Sequence, residues 1–237
     1  MKIDTTFDFR EDSNGKDPDY ASKTLKTYHK LLWQKHLPDG RKFNLSESSN
    51  FRYLVGQVED EQHFLTSDTI CNSYVKRKSM KPIVEPLLQD IEVFRKHVYS
   101  MAGFILFPGK KVAGLRTINQ ERGWLKNIDD RFDITLDCIR RFYLGEATPL
   151  SVTLNRYSTF FELFRSFRGY VEFFLLDDLV DSDYSTIRYF LPLSSAQNVL
   201  PTTSDEYAIF MKNAQTFLQN RNKRIESWCQ DNLKEFI

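Results

Sequence analysis

Pro82 to Gly109 reads PIVEPLLQDIEVFRKHVYSMAGFILFPG and carries both kinds of structure in one stretch. Ile83, Leu87, Ile91, Phe94 and Val98 recur every three or four residues, which is the one-sided stripe of an amphipathic helix. The expected helix runs from Pro82 to about Ser100. Pro82 suits its first turn, where a missing N–H costs nothing, and Pro86 sets the start of its regular part. Gly103 to Phe107 is then almost wholly apolar and closes on Pro108-Gly109, as a strand edge or a buried irregular segment would. A helix followed by a short buried run points to mixed α and β structure.

Toward the N-terminus the pattern is more mixed. Thr5–Asp8 reads as a short strand, and Ser22 as the cap of a helix carrying Leu25, Tyr28, Leu32 and Trp33. Leu37-Pro38-Asp39-Gly40 stops that helix with turn chemistry. Arg41–Leu45, Arg52–Val58 and Glu61–Leu65 are extended candidates, interrupted at Asn50 and Gly56. Toward the C-terminus, Asp129 or Asp130 opens a helix that ends at Gly145. Ser151 caps another, with Leu154, Tyr157, Phe161, Phe164 and Phe167 inward and Gly169 as its stop. Tyr170–Val180 favours a buried helix, and Thr186–Leu191 a strand. Thr203 and Glu206 form a capping box for a long terminal helix, with Asn220–Asn222 as the place for a bend. The expected class is α+β: a mainly helical single domain with a small, mostly antiparallel sheet and a long C-terminal helix.

The chain has 237 residues, 33 Lys+Arg against 32 Asp+Glu, and a net charge of +1. That balance removes the strongly basic footprint of a dedicated nucleic-acid binder. Cys71, Cys138 and Cys229 are odd in number and far apart, with no zinc spacing among them, so no metal site is expected. No apolar stretch approaches the about 20 residues that span a bilayer, and the N-terminus is too acidic for a signal peptide. The expected location is cytoplasmic. Aromatic residues are 14% of the chain, carried by 20 Phe. Most fall on helical stripes and read as core. Phe7, Phe9, Trp33 and Trp124, beside polar clusters, do not.

Three polar clusters are candidates for chemistry. Asp12 to Asp19 (DSNGKDPD) contains Lys16, Asp17 and Asp19, but fails both the calcium-loop and the phosphate-loop spacing, and a surface turn explains it as well. Arg116 to Gly123 places Arg116, Asn119 and Arg122 where guanidinium forks suit phosphate or carboxylate oxygens. Removing Arg122 is then expected to spare stability. Asp130, Arg131 and Asp133, with Asp137, Arg140 and Arg141 further on, read either as a metal or acid–base face or as charges complementing a helix dipole. His29 beside Trp33 reads as a packed helix histidine before it reads as a base. Nothing assigns a cofactor.

Phe7-Asp8-Phe9 with DSNGKDPD, TLKTYHKLLW (24–33), Thr117-Ile118-Asn119 with Arg122-Gly123, DRFDITLDCIRRFY (130–143), TLNRYSTFF (153–161) and GYVEFFLLDDLV (169–180) together resemble a family of uncharacterised bacterial proteins, a domain of unknown function. The resemblance covers nearly the whole chain. It implies a single domain and a bacterial or phage-related source, and it brings no activity. At Phe142 this chain departs from the His that many relatives are expected to carry, so any role of that His is absent here.

Two functions compete. The first is binding of another macromolecule: a protein partner or a homo-oligomer, with nucleic acid less favoured and no membrane. The second is a nucleotide- or phosphoester-binding enzyme whose pocket uses Arg116, Asn119, Arg122, Asp130, Arg131 and Asp133, with Lys16, Asp17, Asp19, His29 and Arg140 in support.

Overall fold

The computed structural model describes residues 3–49, 52–193 and 199–233. The fold is α+β. Four strands, β1 (Asn44–Glu47), β2 (Leu54–Val58), β3 (Glu61–Thr69) and β4 (Phe104–Pro108), lie side by side in chain order, every pair antiparallel. The sequence places the first three within a few residues, and the Gly103–Pro108 run resolves to an edge strand buried along its whole length. Asn50 lies outside the described residues.

Helices surround this sheet. α1 (Pro18–Ala21) and α2 (Lys23–Trp33) meet at Ser22, whose hydroxyl caps α2 by accepting from the Leu25 N–H. The helix expected from Pro82 is broken in two. α3 (Lys81–Val84) passes through a 3-10 turn at Glu85–Leu87 into α4 (Leu88–Val98). Pro86 has no N–H to continue the helical ladder, so the regular helix starts after it. α5 (Ile118–Trp124) begins at a full capping box of Thr117 and Gln120. α6 (Phe132–Tyr143) starts later than expected, because Asp129 and Asp130 both adopt left-handed φ, 50° and 68°, and Arg131 becomes the N-cap.

The helix expected after Ser151 is three short ones. These are α7 (Ser151–Asn155), α8 (Ser158–Glu162) and α9 (Phe167–Phe174), the last capped by Ser166. Ser151 does not cap; its Oγ accepts from the Thr148 N–H. Gly169 lies inside α9 rather than ending a helix: a Cβ there would stand 2.1 Å from the Phe164 carbonyl oxygen. Thr5–Asp8 forms no strand, only a turn at Thr5-Thr6, and Thr186–Leu191 contributes only a single bridge, Val180 to Ile187. α10 (Ser204–Asn232) is the expected long helix. Thr203 caps it, while Glu206 turns to Thr202 instead of closing the box.

Buried apolar side chains form one contiguous cluster. Phe160, Phe161, Phe164, Tyr170, Phe173 and Phe174 pack ring against ring at its centre, reaching Trp33 and Phe43. Arg221 of α10 is fully buried there and, among the described residues, has no carboxylate partner. It donates instead to the carbonyls of Ala102, Phe104 and Phe174, tying α10 to β4 and α9.

Candidate functional site

The sheet leaves a gap beside β3. β2 pairs with β3 only from Leu54, opposite Leu65, so Thr66 to Thr69 run on with β4 as their one strand neighbour. α1 packs against this overhang. The result is a cleft of about 100 Å³, lined by Asp19 and Tyr20 of α1, Leu25, Lys26 and His29 of α2, Arg52, Tyr53 and Leu54 entering β2, and Leu65, Thr66 and Ser67 of β3. That volume suits a few waters or one compact ligand.

A directed chain of hydrogen bonds forms its floor. The Trp33 indole N–H donates to His29 Nδ1 at 2.9 Å, and His29 Nε2 lies 2.9 Å from the Ser67 hydroxyl. An indole nitrogen can only donate, so Nδ1 is the bare nitrogen of His29 and a neutral ring carries its proton on Nε2. Burial, with Arg221 adding repulsion, holds His29 down to about 3, so the ring is neutral. Nε2–H therefore donates to Ser67 Oγ, and Ser67 and Asp19 line the same cleft. With Nε2 already protonated, His29 cannot take the Ser67 proton, so the trio does not make a serine nucleophile.

Asp19 is the unusual member. Burial, then the charges of Asp68 and Asp17, push its carboxyl well above the ordinary range, against the Ser67 hydroxyl and Arg122. Its Oδ1 is buried and, among the described residues, accepts no hydrogen bond. Desolvated carboxyls with specific charged neighbours are a recurring mark of functional sites.

Behind β3 lies the Arg122 cluster. Arg122, on α5, is fully buried and its guanidinium is fully engaged. It pairs with Asp68, lies 3.2 Å from Asp130 Oδ1, and donates to Thr135 Oγ1 and to the carbonyls of Thr69 and Asp130. Burial would lower its pKa, but Asp130 and Asp68 raise it beyond the usual arginine value. Asp68 is pushed up to about 7 by burial, against Arg122 and with Asp130 adding to the rise. Its side chain keeps 18% of its surface exposed, and solvent limits that rise. Asn72 donates to Asp130 Oδ2 at 3.0 Å. Asn119 donates to Thr66 Oγ1 and to the Ser67 carbonyl; a carbonyl can only accept, which fixes the amide orientation and leaves Asn119 Oδ1 buried without a partner.

The structure thus brings Asp19, His29, Asn119, Arg122 and Asp130 together around one strand segment. It does not bring in the others. Arg131 and Asp133 form a separate, fully buried ion pair. Arg131 also donates to the carbonyls of Leu191 and Val199, while Asp133 accepts from the Phe190 N–H. Arg140 pairs with Asp137 one turn away, 2.9 Å apart. Asp17 caps α1, and Lys16 is exposed. Arg116 stacks its guanidinium 4.0 Å over the Trp124 ring on the outer surface. Phe142 packs against Tyr143 and Phe161. Among the described residues no group of three or more His, Cys, Asp or Glu side chains is placed to hold a metal ion.

Sequence alone does not single out Ser67, Asp68, Thr66 or Tyr53. The signal that marks the first three is the polar run Thr66-Ser67-Asp68-Thr69 at the end of the strand, directly after Phe64 and Leu65.

Over residues 3–225 the chain matches a family described as a family of unknown function (DUF6994), and it belongs to that family. No curated protein and no solved structure matches it. Among the described residues no helix is long and apolar enough to cross a membrane.

Proposed function

We propose that this member of a family without an assigned activity binds a compact nitrogen heterocycle, of the nucleobase or nucleotide class, in the cleft between α1, α2 and β3. The observation that carries the reading is the buried, unpartnered Oδ1 of Asp19 on the cleft wall. A buried polar oxygen without a partner is costly, and a ligand that donates to it recovers that cost. Burial and the neighbouring charges of Asp68 and Asp17 raise its pKa, which favours the protonated form of Asp19. A carboxylic acid offers one donor beside one acceptor, the complement of a ring nitrogen next to an amino group. Tyr20 and Tyr53 on the rim present faces for stacking, and Lys26 and Arg52 set positive charge around the mouth for a phosphate tail. Arg122 plays no part in gripping phosphate on this reading, because its N–H groups are already bonded to protein.

Thermal-shift titration with adenine, cytosine, adenosine monophosphate and inorganic phosphate tests it. At least one base or nucleotide raises the melting temperature, phosphate alone does not, and Asp19→Ala abolishes the shift. A shift from phosphate alone, or a base-induced shift that survives Asp19→Ala, contradicts the reading.

A further inference from the structure

Of the four aromatic residues that sequence leaves beside polar clusters, Phe9 and Trp33 are fully buried and Phe7 is half-buried, while Trp124 is 63% exposed. It does not stand alone. Val112 and Leu115 are 43% and 50% exposed, and Val152 is 73% exposed. Lys110 to Arg116 is an unbroken exposed run between β4 and α5.

This run is held at both ends rather than loose. The Tyr157 hydroxyl donates to the Lys110 carbonyl at 3.0 Å, and Arg156 donates to the Arg116 carbonyl at 2.7 Å. Arg156 ends the short helix α7 that carries Val152, one turn back along the same face. Arg116 in turn lies over the Trp124 ring. The loop, α5 and α7 are therefore fixed to one another, and each carries an apolar side chain that the described residues leave exposed. Patches that pair exposed Trp with Arg on a rigid support are typical anchors of protein interfaces.

Charge says what covers it. Across residues 109–126 the surface carries Lys110, Lys111, Arg116 and Lys126, and Glu121 is the sole acidic residue. Among the described residues Lys111 and Lys126 make no ion pair. We infer that the Val112–Leu115–Trp124–Val152 face docks an acidic, amphipathic segment of a partner protein, whose apolar side chains meet Trp124 and Leu115 and whose carboxylates meet Lys111 and Lys126. Three aliphatic residues around one ring give a nucleic-acid strand only one base to stack, and Glu121 beside Arg116 works against a phosphate or an anionic lipid head. This face is independent of the Asp19 cleft.

Selection of a displayed library of random 16-residue peptides on the full chain tests the inference, with Trp124→Ala and Lys111→Glu/Lys126→Glu as controls. All three positions are exposed, so the variants keep the parent melting temperature. The enriched peptides carry net negative charge with Leu, Phe or Trp among the acids. They bind each variant at least tenfold more weakly, and raised salt weakens them further. Enrichment of neutral or basic peptides, equal binding to the variants, or no peptide that depends on Trp124 overturns the inference. So does Trp124-dependent binding to phosphatidylserine vesicles or to single-stranded oligothymidine tighter than to any selected peptide.

Discussion

Arg122 shows how burial reassigns a side chain. Its position in a polar loop-like stretch suggests a ligand grip, and nothing in one sequence tells an exposed guanidinium from a buried one. In the fold it closes charge pairs with Asp68 and Asp130. Arg122→Ala leaves those two acids facing each other in a desolvated site, and urea denaturation should record a loss of about 3–5 kcal/mol. Retention of full stability would remove the cluster from the account. Asp19 predicts a pH effect of definite sign. Its folded pKa lies above the unfolded one, so the folded state holds a proton that the unfolded state releases. The associated stability is present below the ordinary carboxyl range and is lost as pH rises through the raised value. His29 acts in the opposite sense, losing stability as pH falls below about 6.5, but it is common to both proteins compared. Wild type should lose more stability between pH 5 and pH 8 than Asp19→Asn, and equal losses would show an ordinary, solvated Asp19.

At the scale of elements, periodicity is legible in the sequence, and interruptions are legible only where a proline marks them. α2 and α10 follow from spacing and caps, and the body of α6 and the first three strands from spacing alone, because those signals are local. Pro86 marks the break at Glu85–Leu87 in the sequence itself, whereas the division into α7, α8 and α9 depends on what the chain packs against. Gly169 is the clearest case. As a helix stop it would need an open end; here the helix runs through it because the Phe164 carbonyl and Pro38 come too close for any side chain, with Pro38 Cγ only 2.9 Å from where a Cβ would stand. Gly169→Ala should therefore destabilise the protein by about 1–3 kcal/mol through overpacking, read from a circular-dichroism melt, although alanine is the better helix former. A gain in stability would restore the reading of Gly169 as a simple helix breaker. The overhang of β3 is invisible in the sequence for a related reason: its polar residues make sense only once β2 is seen to stop at Leu54.

Across the whole molecule, sequence delivers the class and names some of the residues gathered around the candidate site. Asp19, Asn119, Arg122 and Asp130 are more than a hundred residues apart at the extremes, and only the fold shows that they share one strand as neighbours while Arg131 and Asp133 do not. The aromatic excess becomes a core that surrounds Trp33, and Trp33 in turn fixes the His29 ring, which donates to the Ser67 hydroxyl in the cleft that Asp19 also lines. The large-scale packing and the small cleft are thus one arrangement. Amide NMR of the isotopically labelled chain, titrated with adenosine monophosphate, tests that most directly. The account predicts saturable shifts confined to Asp19–Tyr20, Leu25–His29, Arg52–Leu54 and Leu65–Asp68, lost in Asp19→Ala. Shifts centred elsewhere, or a saturable response that Asp19→Ala leaves intact, would contradict it.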